Sequence, residues 1–470
     1  MNVSRYIGAL AGPMTTFLQR LVDFYLGLEG ESEPVLKVKQ AATSYLVTLL
    51  SSQMYYLQSR QGDTIYADFV HSPALDILMS IDRPGLIIGL LKDFIKSSKV
   101  QVAVPGFFAM LLGSTQPTLA QLTHIDIRNT TLILSLLSLC VITHFPNPYI
   151  NSDLQSIAPQ LTNTLLDSLQ DTKKLLLLYT LLRHNADFRN HFLANSCRNK
   201  CILELCRYLH STKPARSHPH LTLALSILLL LTENPQIVQS LSTEGKLDAV
   251  PWLSNYQTKG ISLSSVMFLA ALNIVRENMV IRNGYAQVLV TGLLFNLAQG
   301  IVELHEYAAQ VFLSTIKSLW QLSNKPGEET RLVEARELLR MLTDLLAVQL
   351  FSSLPRAAWL VYMTLHEADS FAQMNTHCPG TAPFFQELIS QLLPHAEGDS
   401  AFASVSVQLQ TLALRTRPEL HIFKGAQTFL MREEAQRWEA WAVPYIWMEA
   451  AKTGLSALKF EAELSYSKLD

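Results

Sequence analysis

Apolar residues recur along most of this chain at spacings of three and four, the period of a helix that buries one face. Residues 331–350 give the plainest case. Leu332, Ala335, Leu338, Leu339, Leu342, Leu345 and Leu346 fall on one face, with Glu334, Arg336, Arg340 and Asp344 largely on the other. Residues 305–321 repeat the pattern through Ala308, Val311, Phe312, Ile316 and Leu319. Sustained period-two alternation is scarce, and no Asn-Gly or Asp-Gly pair stands between apolar runs, so strands and hairpins are not indicated.

Turn-forming residues fall between the periodic segments rather than within them. Cutting at 29–34, 82–85, 145–148, 213–219, 234–235, 324–327, 355, 378–383 and 394–400 leaves helices of about 10–20 residues and no long low-complexity linker. Helices that are apolar on more than one side stack on neighbours rather than face water. The pattern predicts an all-α chain, read as an irregular armadillo- or HEAT-like α-solenoid of stacked helical pairs. It would run as a single continuous helical solenoid over residues 1–470. No crisp repeat of about 34 or 40 residues can be aligned, so the repeats must be irregular.

The stretch from Lys259 to Gln321 decides between two classes. Gly260 to Val275 carries no charge, Arg276, Glu277 and Arg282 form an expected charged turn, and Asn283 to Val302 is again uncharged. Runs of that length either span a membrane or lie inside a large helical protein. The second run holds Asn283, Gln287, Thr291, Asn296 and Gln299, and buried amides are costly in hydrocarbon. Leu132–Ile142 and Leu221–Leu231 are greasier but each is only 11 residues long, a length that suits core helices. Interior helices are therefore expected; an integral multi-helix membrane protein of transporter type stays as the alternative.

Composition agrees. Of 470 residues, 49% are hydrophobic and only 16% charged, against ~25% charged in a typical soluble protein. Many helices buried on several sides need few charges. A formal net charge of −2 gives no footprint for nucleic acid, and 5 cysteines are too sparse and odd a set for a secreted disulfide framework. The N-terminal residues have no h-region or cleavage site of a signal peptide, so the Asn129-Thr130-Thr131 sequon reads as chance.

Candidate chemistry is thin. Cys197, Cys201 and Cys206, with His191 and His210 nearby, are the one cluster of metal-ligand types. Cys197 and Cys201 stand one helical turn apart with no second close pair, so small buried hydrophobes are favoured over zinc. A nucleophile elbow, a zinc-protease motif and a phosphate-binding glycine loop are all missing. Glu433 and Glu434, beside Arg432 and Arg437, read as a solvated helix face. No catalytic, cofactor-binding or metal residue is assigned, and an enzyme is not expected. Two segments suit contacts. The basic loop 207–220 could touch acidic headgroups or a phosphorylated partner, although an exposed loop is favoured; the aromatic run 438–447, WEAWAVPYIW, reads best as a terminal cap on the solenoid within 438–470.

Five segments, in order, resemble the dymeclin family. They are LLLLYTLLRHNADFRNHF at Leu175–Phe192, the leucine run His220–Pro235, Ile261–Ser265 with the turn around Asn278-Met279, Leu304–Gln310 (LHEYAAQ, after Leu297-Ala298), and Pro444-Tyr445-Ile446-Trp447. The match is best over 175–321 and weak over the first ~130 residues and 332–430. The resemblance implies a cytosolic, non-enzymatic helical protein held peripherally on Golgi membranes. It would support Golgi organisation and vesicle traffic through unidentified trafficking proteins, with no nucleic acid and no small-molecule substrate. Family members begin Met-Gly, compatible with N-myristoylation, where this chain has Met1-Asn2, and the chain is short for the family at this end.

Overall fold

A computed structural model describes residues 3–30, 32–51, 77–78, 80–81, 85–100, 133, 149, 152–167, 169–211, 218–244, 246–253, 258–281, 284–325, 329–374, 377–398 and 400–421. Among the described residues there are 17 α-helices and no strand. The chain divides into two compact units, one comprising Met1–Cys197 with Glu434–Asp470, the other Arg198–Glu433. The aromatic run 438–447 and the sequon at Asn129 lie outside the described residues, as do residues 212–217 of the basic loop.

In the first unit the helices are α1 (Val3–Gly27), α2 (Glu33–Ser51), α3 (Gly85–Val100), α4 (Ala158–Leu166), α5 (Thr172–His184) and α6 (Ala186–Ala194). Helix α1 packs on α2 and α3, α3 on α4, and α4 on both α5 and α6. Leu18, Val22 and Tyr25 of α1, Leu90, Leu91 and Phe94 of α3, and the whole leucine run Leu175–Leu178 of α5 are buried. Burial on all sides of α5 is why its sequence shows no polar face there. Asp93 of α3 accepts from Tyr25 Oη at 2.7 Å and from Lys39 Nζ of α2 at 3.0 Å, so one carboxylate ties three helices.

The second unit holds α7 (Cys197–Ser211, whose first residue belongs to the first unit), α8 (His218–Thr232), α9 (Pro235–Thr243), α10 (Leu263–Ile281), α11 (Gly284–Gly300) and α12 (Glu306–Ser323). It continues with α13 (Glu329–Ser353), α14 (Ala358–His366), α15 (Ala368–Met374), α16 (Ala382–Leu392) and α17 (Ala401–Leu409), with single 3-10 turns at Leu354–Arg356 and Leu393–His395. Sequence neighbours and next-nearest neighbours pack together: α10 on α11 and α12, α11 on α13, α12 on α13 and α14. Asn234 caps α9 by accepting from Gln236 N–H at 2.9 Å, with Pro235 in the first turn where its missing N–H costs nothing.

The two uncharged runs are α10 and α11, buried along most of their length. Polar side chains at their junction bond to one another, while Gln299 Nε2 of α11 is buried with no hydrogen-bond partner among the described residues. Asn278 Nδ2 donates to Gln287 Oε1 at 2.9 Å, and Gln287 Nε2 to Thr291 Oγ1 at 3.3 Å. The Thr291 hydroxyl in turn meets Met341 Sδ of α13 at 2.9 Å. Among the described residues no single helix is long and apolar enough to cross a membrane; His220–Thr232 and Pro235–Thr243 pass such a test only as a pair bent by 93°. The expected turn at Arg276, Glu277 and Asn278-Met279 needs correction. Helix α10 continues through all four to Ile281, because Arg276 lies on its exposed stripe while Asn278 is buried against Gln287.

Candidate functional site

The residues that carry the sequence motifs are joints between helices. In Leu175–Phe192 the joint is Asn185. Its Oδ1 accepts from Phe188 N–H at 2.8 Å, capping α6, while its own N–H donates to Leu181 O at 3.0 Å and closes α5. Its Nδ2 reaches Ser152 O at 3.1 Å, which pins the corner to the segment before α4. Arg189 then lays its guanidinium over the last carbonyls of α5, with Nη1 at 3.5 Å from Leu182 O and 3.4 Å from Arg183 O. Phe188 and Phe192, stacked with centroids 6.2 Å apart, are fully buried. Burial, then the charges of Arg183 and Arg189, lower His184 to about 4, so it is neutral at the corner.

In the second unit the Ile261–Ser265 and Leu304–Gln310 motifs meet. The side chain of Ser262 accepts from Ser265 N–H at 3.3 Å and bonds Ser265 Oγ at 2.9 Å. Ser265 Oγ in turn accepts the main-chain N–H of His305 at 3.2 Å. His305 caps α12: its Nδ1 accepts from Tyr307 N–H at 3.2 Å, and its Nε2 lies 3.3 Å from Lys259 O. Both contacts are made together only by the neutral ring with its proton on Nε2. Lys259 O is presented by a turn at Gly260, whose φ of +75° favours glycine. The short connection from α11 to α12 is fixed again by Val302 N–H on Ser242 Oγ at 3.1 Å and by Gln349 Nε2 on Ile301 O at 3.0 Å. After it, Ala308 and Ala309 are fully buried, small enough for α12 to lie against α10, where Phe268 and Phe312 meet edge to face at 5.0 Å.

The cysteines sit elsewhere. Cys201 and Cys206 have no exposed surface in α7, and burial pushes both thiols far up, away from the thiolate that a metal or a nucleophile needs. Cys197 is half-buried, with Sγ 3.5 Å from Asn163 Oδ1. Among the described residues no three His, Cys, Asp or Glu side chains are placed to hold a metal ion.

One feature of the second unit escaped the sequence pattern. Asp344, assigned by periodicity to the polar face of α13, is buried, and its Oδ2 accepts His421 N–H at 2.7 Å. With Arg340, Cys378, Gly380, Leu420 and His421 it lines a cleft of about 300 Å³. Arg340 Nε donates to His377 O at 2.9 Å, closing the far wall. The signal for it lay in Leu412, Leu414, Thr416, Pro418 and Leu420, which alternate with Ala413, Arg415, Arg417, Glu419 and His421.

This arrangement of bonded corners and buried thiols defines a helical protein whose marked residues hold helices together. The sequence model described as "Dymeclin: Dyggve-Melchior-Clausen syndrome protein" matches residues 8–448. The chain therefore belongs to the dymeclin family. It is 27% identical over 346 residues to the dymeclin of Rattus norvegicus, covering 65% of this chain and 50% of that protein. With the Xenopus laevis dymeclin it shares 27% over 348 residues, 66% of this chain and 49% of the other. With that of Gallus gallus it shares 28% over 310 residues, 58% and 44%. The chain thus spans about half the length of the curated relatives it matches. No solved structure matches it.

Proposed function

We propose that this protein is a non-enzymatic scaffold or adaptor that supports Golgi organisation and vesicle traffic through protein–protein contacts at Golgi membranes. It is cytoplasmic and peripherally attached, its partners are other trafficking proteins, and it uses neither cofactor nor nucleic acid. The carrying observation is that the family match runs from residue 8 to 448 while the motif residues inside it, Asn185, Ser265 and His305, bond to backbone rather than line a reactive pocket. An irregular armadillo- or HEAT-like stacking belongs to the same reading. It is supported in the second unit by helices that pack on neighbours one to three places away along the chain, α8 on α11 among them.

Fractionation tests it. The tagged full chain should sediment with Golgi markers and pass into the soluble fraction on carbonate or high-salt extraction. Extraction by detergent alone would sink the peripheral reading and restore the membrane-spanning one. Affinity capture from the same cells should then retain vesicle-tethering or coat components rather than metabolic enzymes.

A further inference from the structure

Beyond α17 the chain leaves helical structure, and residues 411–421 cross the second unit with alternate side chains turned inward. Leu412, Leu414, Thr416, Pro418 and Leu420 are half-buried, and the intervening residues are exposed. That is the period of an extended backbone, yet among the described residues no strand lies beside it. Its amides are held by other means. Glu387 of α16 takes two in succession, Arg415 N–H on Oε1 at 2.9 Å and Thr416 N–H on Oε2 at 2.7 Å. Glu419 N–H donates to Gly380 O at 3.2 Å, and His421 N–H to Asp344 Oδ2 at 2.7 Å. Pro418, which has no amide to satisfy, stands between the two sets of anchors.

Gly380 completes the seat. A Cβ there would come within 2.4 Å of Glu419 O, so the wall is bare where the extended segment passes. Charged acceptors aimed at main-chain amides, a glycine wall and unfilled space beside Leu420 describe a groove that reads backbone. Backbone recognition tolerates many sequences, with alternate side chains supplying the selection. None of the seated side chains is fully buried, so little apolar area opposes its release.

We infer that this groove is a docking site for an extended peptide with apolar side chains at alternate positions, and that the chain occupies it with its own residues 411–421 until they are displaced. The segment is tethered directly to α17, so its effective concentration is in the millimolar range and it excludes a free peptide of equal affinity.

The test uses the full chain and a fluorescein-labelled peptide of sequence TLALRTRPELH, read by fluorescence anisotropy. Leu412→Asp with Leu414→Asp ejects the tethered segment and leaves the groove intact. This variant should bind the peptide on the order of 100-fold more tightly than the unaltered chain. Adding Gly380→Val should abolish the gain, because the wall then meets the peptide backbone. Amide exchange over 411–421 confirms ejection, and circular dichroism confirms that the helices are retained. Where the double aspartate variant loses helix, Thr416→Pro with His421→Pro ejects the segment instead, by removing one donor to each carboxylate. An ejected segment with peptide binding no tighter than that of the unaltered chain overturns the proposal. So does a gain that survives Gly380→Val, or a segment that neither variant releases.

Discussion

The main-chain N–H of His305 donates to the Ser265 hydroxyl at 3.2 Å, although the two residues are 40 positions apart. The bond makes one joint of two sequence motifs. Ser265 is fully buried at the start of α10, and His305 is the cap of α12, so the bond sets where α12 begins against α10. Ser265→Ala removes the acceptor and leaves that N–H unpaired, which costs about 1–3 kcal/mol. A drop of that size in urea-unfolding free energy is expected, with an unaltered far-ultraviolet dichroism spectrum below the transition. An unchanged midpoint would show that water replaces the serine and that the joint is not structural.

Asn185 makes a stronger case, because one side chain serves both directions. Asn185→Ala loses the cap on Phe188 N–H and the bond to Ser152 O together, for about 2–3 kcal/mol. Asn185→Ser keeps a capping oxygen and loses the donor to Ser152, so its loss should be the smaller of the two. Denaturation of both variants checks the order; equal losses would mean that the cap on Phe188 N–H contributes little.

Gly300 ends α11 where α9 passes closest. A Cβ at this position would lie 2.5 Å from Val238 Cβ and 2.6 Å from its Cγ1, and Val238 is fully buried. Gly300→Ala is therefore expected to cost about 1–3 kcal/mol through overpacking. Val238→Ala alone costs a similar amount through a cavity. Combined, the two should cost less than the sum of the singles, since Val238→Ala removes the Cγ1 contact even though its Cβ stays in place. A strictly additive double-mutant cycle would refute the close approach.

How much of this was legible depends on which interaction fixed each element. Helices with one wet face, such as α12, follow from Ala308, Phe312, Ile316 and Leu319 alone, and the all-α reading rests on them. Family membership was legible as well, from five short segments that resemble the family, and the family model matches residues 8–448. The turn placed at Arg276 and Glu277 failed because charge punctuates a helix only when the backbone also breaks, and α10 needs no break where Arg276 can face water. Asp344 failed for the opposite reason. A carboxylate on a helix reads as solvated, and the sequence does not show the distant main-chain amide, His421 N–H, that bonds this one where it is buried. The joints at Ser265 and Asn185 were visible as motifs but not as bonds, since capping by an amide or hydroxyl leaves a residue type in the sequence and no trace of its remote partner.

The seat of residues 411–421 should depend on pH. Hydrogen bonding from Arg415 N–H, then from Thr416, holds the Glu387 carboxyl below its ordinary 4.5. A carboxyl lowered by native contacts binds its proton more readily once those contacts are gone. Its contribution is therefore complete above about 4.5 and is lost as pH falls through the native value. Exchange of the Arg415 and Thr416 amides, corrected for intrinsic rates, should stay slow from neutral pH down to about 4.5 and then accelerate. Glu387→Gln keeps one acceptor oxygen and replaces the other with a donor. It should speed exchange at one of the two amides, Arg415 or Thr416, already at neutral pH and flatten the profile below it. Added salt screens the charge of the half-buried Glu387 and leaves the two bonds in place, so the acid step should persist at high ionic strength. An acid step that survives in Glu387→Gln would assign the titration to another group and remove Glu387 from the seat.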